Sequence, residues 1–346
     1  MKVLVASTTV PFVDSGGIQI VDWTVEALRS RGFEAEALFI PFADDREVVL
    51  AQTLALRTLD LTDYCDVLVP VRWPAHVIRH PRKRPWFIHH LRLFMDLWNW
   101  ESNPIPHTPE TIALREVLRD LDTAALSECE RIFTNSAVMS QRVKEFNELD
   151  STVLYPPLRD GQPAPGNVTF ESFVFYPSRV NRAKRQLLAL EGAMQTSNTR
   201  ILIAGVCDDA EYREELLALQ AQEPERLDVR LGWMSDADKQ DLLARCSAVL
   251  YIPFDEDSYG YPTLESYRYG KPVISCTDSG GTREIIEDQV TGRLVSPSAT
   301  DLGAAMEEYV TSSSLAARHG AAGRQRIDLL GINWDDVVGH LTGALS

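Results

Sequence analysis

Two acidic clusters flank one small, turn-forming stretch of this chain, Asp255-Glu-Asp-Ser-Tyr-Gly-Tyr-Pro-Thr-Leu-Glu265. Gly260 sits at its middle, and a helix start and then a buried strand follow. The N–H groups at a helix N-terminus favour phosphate, and carboxylates accept hydrogen bonds from sugar hydroxyls. Glu256, Asp257 and Glu265, arranged around Gly260, Tyr261, Pro262 and Thr263, therefore suit a ligand with hydroxyls at its ends and phosphate in its centre. A nucleotide sugar has that layout. Glu265, in the first turn of the helix, is also favoured by the helix dipole alone. That does not account for the three consecutive acids Asp255–Asp257 upstream.

Other residues could serve the same ligand. Arg179 and Lys184, spaced Arg-x4-Lys, follow a predicted strand and put a planar fork and a point charge near a helix start. Both can face a pyrophosphate and offset the charge that develops as it leaves. Arg182 and Arg185 are expected to face solvent. Gly16-Gly17, between the first strand and its helix, lets a backbone approach a ligand, although a plain turn reads equally well and no G-x-G-x-x-G is present. Gly280-Gly281 opens a second helix N-terminus and reads as an anion nest, with helix capping by Glu284 as the alternative. His89-His90 ends a predicted strand, where a histidine can contact a transferred sugar or an acceptor. No third ligand at metal spacing accompanies the pair, which argues against zinc. Trp86, Trp98 and Trp100 read as core.

Composition narrows the classes. Lys and Arg number 34 against 50 Asp and Glu, a net charge of −16, which disfavours nucleic-acid binding. One segment breaks the trend, Arg79-His-Pro-Arg-Lys-Arg84. It reads as a solvated loop or as a landing patch, through Arg79, Arg82, Lys83 and Arg84, for lipid headgroups or an anionic acceptor. The five cysteines form no C-x-x-C pair, which fits reduced thiols in a cytosol. No apolar run approaches the roughly 20 residues that span a bilayer, and Met1-Lys-Val-Leu-Val-Ala reads as a strand, not a signal peptide. A cytoplasmic location, with peripheral membrane contact through the basic segment, is the expectation.

Strands and helices alternate. Strands are predicted at 2–7, 34–40, 67–71, 86–88, 131–134 and 152–154, and helices at 18–31, 46–59, 108–126 and 137–146. After the Pro- and Gly-rich stretch 156–166 the alternation resumes, with strands at 173–176, 200–204, 227–231, 248–251 and 271–275. Helices at 184–194, 211–221, 237–245, 263–269, 301–310 and 315–327 fill the second half. Such alternation implies parallel β-α-β units. The expected organisation is an α/β chain with one Rossmann-like domain over 1–157 and a second over 158–330. A C-terminal helix within 331–346 packs back on the first domain. A cleft between two such domains is where a ligand is expected.

These pieces, in this order, resemble a retaining glycosyltransferase of the GT-B fold, glycosyltransferase family 4 (glycosyl transferases group 1). The resemblance covers essentially the whole chain and is strongest over 173–295. The family's Glu-x7-Glu motif has its register at Asp257-x7-Glu265, with Asp in the first position and Glu256 as the alternative across a one-residue insertion, Ser258. Gly-Lys-Pro-Val-Ile from Gly270 and Gly-Gly-Thr-Arg-Glu-Ile-Ile-Glu from Gly280 match closely. Arg179 and Lys184 fit the diphosphate pair, Gly16-Gly17 the N-terminal glycine loop, and His89 or His90 the cleft histidine.

The resemblance implies two doubly wound domains facing each other across a cleft, the second holding a nucleoside-diphosphate sugar and the first a hydroxyl acceptor. It implies Glu265 on the ribose, Asp257 or Glu256 on the donor sugar, backbone N–H groups of Tyr261–Thr263 on phosphate, and Arg179 and Lys184 on the leaving diphosphate. It also implies no metal and no cofactor, and a glycan, lipid-linked or small-molecule acceptor. A nucleotide-sugar epimerase and a non-catalytic nucleotide-sugar-binding protein are the alternative functions.

Overall fold

The computed structural model describes residues 1–12, 16–162 and 165–345. Parts of the stretch between the first predicted strand (2–7) and helix (18–31), and of the Pro- and Gly-rich stretch, lie outside the described residues. The chain forms two compact units, Met1–Asp160 with the chain from Ile332 onward, and Gly161–Gly331.

The first unit runs β1 (Lys2–Thr9), α1 (Gly16–Ser30), β2 (Glu34–Pro41), α2 (Val49–Arg57), β3 (Val67–Pro70), β4 (Trp86–Phe87), α3 (Pro109–Ser127), β5 (Phe133–Thr134), α4 (Ala137–Asn147) and β6 (Thr152–Val153). All pairings are parallel, in the orders β2-β1-β3 and β4-β5-β6. The Ile88 N–H donates to the Val71 carbonyl at 3.4 Å and ties the two groups together. α1 buries Ile20, Val21, Val25 and Leu28 at helical spacing against Val3 and Val5 of β1. Helix α11 (Trp334–Thr342) adds Trp334, Val337, Val338 and Leu341 to the same core. The Trp334 indole also donates to the Leu158 carbonyl at 2.8 Å.

The second unit runs β7 (Val174–Pro177), α5 (Gln186–Met194), β8 (Ile201–Gly205), α6 (Ala210–Gln220), β9 (Leu227–Leu231), α7 (Asp236–Arg245), β10 (Ala248–Leu250), α8 (Tyr261–Arg268), β11 (Val273–Cys276), β12 (Gly292–Val295), α9 (Ala299–Thr311) and α10 (Ser313–Leu329). Its parallel sheet has the order β12-β11-β10-β7-β8-β9. Counted within the unit this is 6-5-4-1-2-3, the strand order of a dinucleotide-binding Rossmann sheet. The strands are short runs of Val, Ile, Leu and Phe buried on both faces, as helices on either side of a sheet require. The order reverses between β7 and β10. The loops leaving the carboxyl ends of those two strands are Ser178–Lys184 and Tyr251–Gly260, so the candidate residues issue from the switch point of the sheet.

Two basic motifs serve the fold. Lys271 is fully buried, donates to the carbonyls of Cys246 at 2.7 Å and of Thr169, and lies 3.9 Å from the Phe170 ring centre. Burial pulls its pKa down to about 8. Two residues of the basic segment of the first unit are spent in the same way, which removes Lys83 and Arg84 from the expected landing patch. Lys83 is fully buried and donates to the His76 carbonyl at 2.7 Å. Arg84 is held by Glu130 and by the His340 carbonyl, each at 2.7 Å. Only Arg79 and Arg82 of the four stay exposed. Among the described residues no helix is long and apolar enough to cross a membrane.

Candidate functional site

The cation of the second unit is placed by its own loop. Asn181 caps a tight turn over Arg182–Lys184, accepting from the Lys184 N–H at 3.1 Å. The Phe254 N–H donates to the Ala183 carbonyl at 2.7 Å, stapling this turn to the loop after β10. The buried Tyr176 hydroxyl donates to the Lys184 carbonyl and accepts from the Ile252 N–H at 3.3 Å. The Lys184 ammonium thereby rests beside the Tyr251 hydroxyl, 2.9 Å away, and forms an ion pair with Glu256.

The acid loop is held from below. Gly280, at φ 59°, lies so close to it that a Cβ there would sit 2.2 Å from the Glu256 carbonyl oxygen. The Gly281 N–H donates to that oxygen at 2.8 Å. The paired glycines therefore let two backbones touch. The Gly281 N–H is spent on protein, which corrects the anion-nest reading. Arg185 also departs from expectation, because its guanidinium turns inward. It donates to the carbonyls of Ile252 and Pro253, at 2.8 and 2.9 Å, and pairs with Asp278 at 2.8 Å. Charged groups at such carbonyl-rich strand ends are stabilised by the hydrogen bonds they make.

Gly260, at φ 71°, caps α8 in a conformation that favours glycine. The helix begins with Tyr261 and Pro262. The expected phosphate cradle over Tyr261–Thr263 is smaller than the sequence reading, because Pro262 has no N–H and the Thr263 N–H donates to the Gly260 carbonyl at 3.1 Å. On the next turn Glu265 accepts from Lys239 of α7 at 2.7 Å. Burial disfavours the Lys239 ammonium, yet the adjacent Glu265 carboxylate outweighs it and raises the lysine pKa. Lys239 was not singled out from sequence, since its pairing spans 26 residues with no local spacing to mark it.

The remaining residues are spread more widely. Asp257 is 7% exposed, whereas the Glu256 side chain is 24% exposed. Arg179 is half exposed and faces Asp208 at 3.6 Å, a surface pair worth little by itself. Arg182 lies on the surface with Glu215 at 2.7 Å. The unit thus gathers Lys184, Glu256 and Gly260 around Tyr251, and sets Glu265 with Lys239. Arg179 has no direct link to Lys184 among the described contacts.

In the first unit Gly16 and Gly17 form the opening of α1 instead of a loop. His89 and His90 follow β4. His90 is fully buried between Phe87 and Phe146, with ring centres 4.9 and 5.3 Å away, and its Nε2 meets Asn147 Oδ1 at 2.8 Å. Asn147 in turn donates to the buried Asp122 at 3.0 Å, as does the Trp73 indole at 3.0 Å. His90 is a core residue, a correction to its sequence reading. His89 is half-buried, and its Nδ1–H donates to the His90 carbonyl at 2.7 Å. Burial, with Arg72 and Arg92 adding repulsion, pulls its pKa down to about 3. Burial lowers that of His90 as well.

The His89 imidazole stays neutral in the folded protein where the unfolded chain takes up protons below about pH 6.5. Stability is therefore expected to fall as pH drops from about 6.5 towards 3, by up to about 1.4 kcal/mol per pH unit for His89. Urea midpoints at pH 7.5 and pH 5.0 check this, and the difference should shrink in His89→Asn.

Residues 163–326 match the family described as glycosyl transferases group 1. They form a glycosyl transferases group 1 domain. That domain coincides with the second unit and contains the whole Lys184–Glu265 arrangement. The chain is 31% identical over 241 residues to human (Homo sapiens) alpha-1,3/1,6-mannosyltransferase ALG2, covering 59% of this chain and 55% of that protein. It spans about half the length of the curated relatives it matches. Sucrose-phosphate synthase from Thermosynechococcus elongatus superposes with a TM-score of 0.74 at 17% identity, covering 99% of this chain and 98% of that one. HepE from Anabaena, in complex with UDP, superposes at 0.71 and 15% identity, covering 99% and 100%. At these identities the likeness speaks for fold, and the fold is GT-B, with two Rossmann-like units.

Proposed function

We propose that this protein is a retaining glycosyltransferase. It moves a sugar, mannose or a related hexose, from a nucleoside-diphosphate donor to a hydroxyl of a glycan, lipid-linked or small-molecule acceptor. The observation that carries the proposal is the Lys184 ammonium at the switch point of the group 1 domain, beside Glu256 and the Tyr251 hydroxyl. The mannosyltransferase names of the relatives and the UDP named for a structural neighbour support the donor class.

In this reading Glu265 takes the ribose hydroxyls. Lys184 leaves Glu256 for the diphosphate, with Arg179 swinging in from the surface, and their charge replaces that of a metal. Glu256, released, accepts a hydroxyl of the donor sugar. Its exposure favours it over Asp257 for this contact. Attack from the face of the leaving group, with the departing phosphate taking the acceptor's proton, retains the anomeric configuration. Gly16-Gly17 and His89 of the first unit serve the acceptor side.

The test incubates the protein with GDP-mannose or UDP-glucose and a mannoside acceptor, and reads the new linkage by proton NMR. An α-linked product from the α-configured donor is expected, and a β-linked product would overturn retention. Glu256→Ala should lower kcat/KM about tenfold or more, the scale of a hydrogen bond to a charged group. Asp257→Ala should act chiefly on thermal stability. The reverse pattern would move the sugar contact to Asp257.

A further inference from the structure

We infer that Tyr251 is a positioning residue that sets the Lys184 ammonium at diphosphate distance, and so makes the site distinguish nucleoside diphosphates from monophosphates. The inference rests on the donor site proposed above and goes beyond it, because Tyr251 belongs to neither the acidic motif nor the Arg-x4-Lys pair.

The tyrosine stands at the carboxyl end of β10 and is 4% exposed. Its ring is fixed on several sides. Tyr176 packs edge-on with ring centres 6.4 Å apart. The Gly260 backbone lies so near that a Cβ there would meet ring atom Cε1 at 2.3 Å and the hydroxyl oxygen at 2.7 Å. The Lys184 ammonium sits 5.0 Å from the ring centre, with its hydrogen bond to the hydroxyl at 2.9 Å. One side chain thus touches both the residue that caps α8 and the cation on the loop after β7. It works as a spacer between the helix N-terminus and the ammonium.

A lysine carries a flexible four-carbon stem and gives up rotamer entropy when it is fixed. Fixing it against Tyr251 before the ligand arrives removes that cost from binding. Only a ligand whose second phosphate reaches the ammonium benefits. The hydroxyl is therefore expected to matter for diphosphates and to be silent for monophosphates. A tyrosine that merely filled space would affect both alike.

The experiment is isothermal titration of wild type, Tyr251→Phe and Lys184→Ala with GDP, GMP, UDP and UMP, with ligand-free melting measured alongside. Tyr251→Phe removes one oxygen and keeps the ring, so the fold is retained. Wild type should favour the diphosphate of one base over its monophosphate. Tyr251→Phe should weaken that diphosphate about tenfold, the scale of a hydrogen bond to a charged group, and leave the monophosphate unchanged. Lys184→Ala should abolish the preference. Equal loss for diphosphate and monophosphate, or no loss, in Tyr251→Phe would overturn the inference while leaving the donor site standing. Absence of any nucleotide binding by wild type would overturn the donor-site reading and this inference with it.

Discussion

Lys184→Ala is expected to lower kcat/KM for glycosyl transfer by about 100- to 1000-fold, the range seen when one preorganised donor to a developing negative charge is removed. Diphosphate charge grows as the glycosidic bond to it breaks, so the ammonium stabilises the transition state more than the ground state. The loss should therefore appear in kcat and not only in KM. The tight turn capped by Asn181 and the hydroxyl of Tyr176 hold the backbone independently of the lysine side chain, so the variant should fold. Arg179, half exposed and facing a surface carboxylate, is expected to matter less. Steady-state kinetics of both variants check the order. An Arg179→Ala defect larger than that of Lys184→Ala would reverse the assignment.

Glu265→Ala is expected to act twice. It leaves the Lys239 ammonium, 28% exposed, without its carboxylate. Removing one member of a fully buried pair costs about 3–5 kcal/mol, and partial exposure brings the expectation here to about 2 kcal/mol. It also removes the carboxylate assigned to the ribose, so nucleoside diphosphate binding should weaken more than tenfold, the scale of a charged hydrogen bond. The double variant Lys239→Met with Glu265→Leu separates the effects. Stability should largely return, since an apolar pair of similar volume can replace a buried ion pair, while nucleotide affinity should not. Urea unfolding and nucleotide titration of the single and double variants give both readings. Recovery of affinity in the double variant would remove Glu265 from the ligand.

Much of the second unit is legible in the sequence because its central strands are buried. Val174–Pro177, Ile201–Gly205 and Val273–Cys276 are runs of apolar residues bounded by turns, and such runs need no partner to be recognised. β12 was missed. Gly292-Arg-Leu-Val is short, carries a charge and sits at the sheet edge. Its parallel pairing with β11, so close that a Cβ at Gly292 would meet the Val273 carbonyl at 2.0 Å, is a feature of the fold and not of the local sequence.

Long-range polar pairing accounts for the other gaps. Arg185 and Lys83 read as solvated because they are charged, yet each finds backbone carbonyls that the local sequence does not display. Lys239 reads as an ordinary helix surface residue until α7 packs beside α8 and brings it to Glu265. His90 reads as a strand-end ligand until Asn147, 57 residues away, draws it inward. Local spacing identified the acid loop and Lys184, whereas which acid faces which cation depended on the turn geometry at Gly260 and on Gly280 beneath the loop.

The most direct measurement is transfer itself. The protein would be supplied with GDP-mannose, UDP-glucose and UDP-N-acetylglucosamine in parallel, each with a mixture of mannoside and lipid-diphosphate acceptors. Free nucleoside diphosphate and glycosylated product would be quantified together by mass spectrometry. The account predicts that one donor yields nucleoside diphosphate and glycosylated acceptor in equal amounts, and that Lys184→Ala reduces both together. A donor that binds but returns as an epimerised nucleotide sugar, with no diphosphate released, would contradict it.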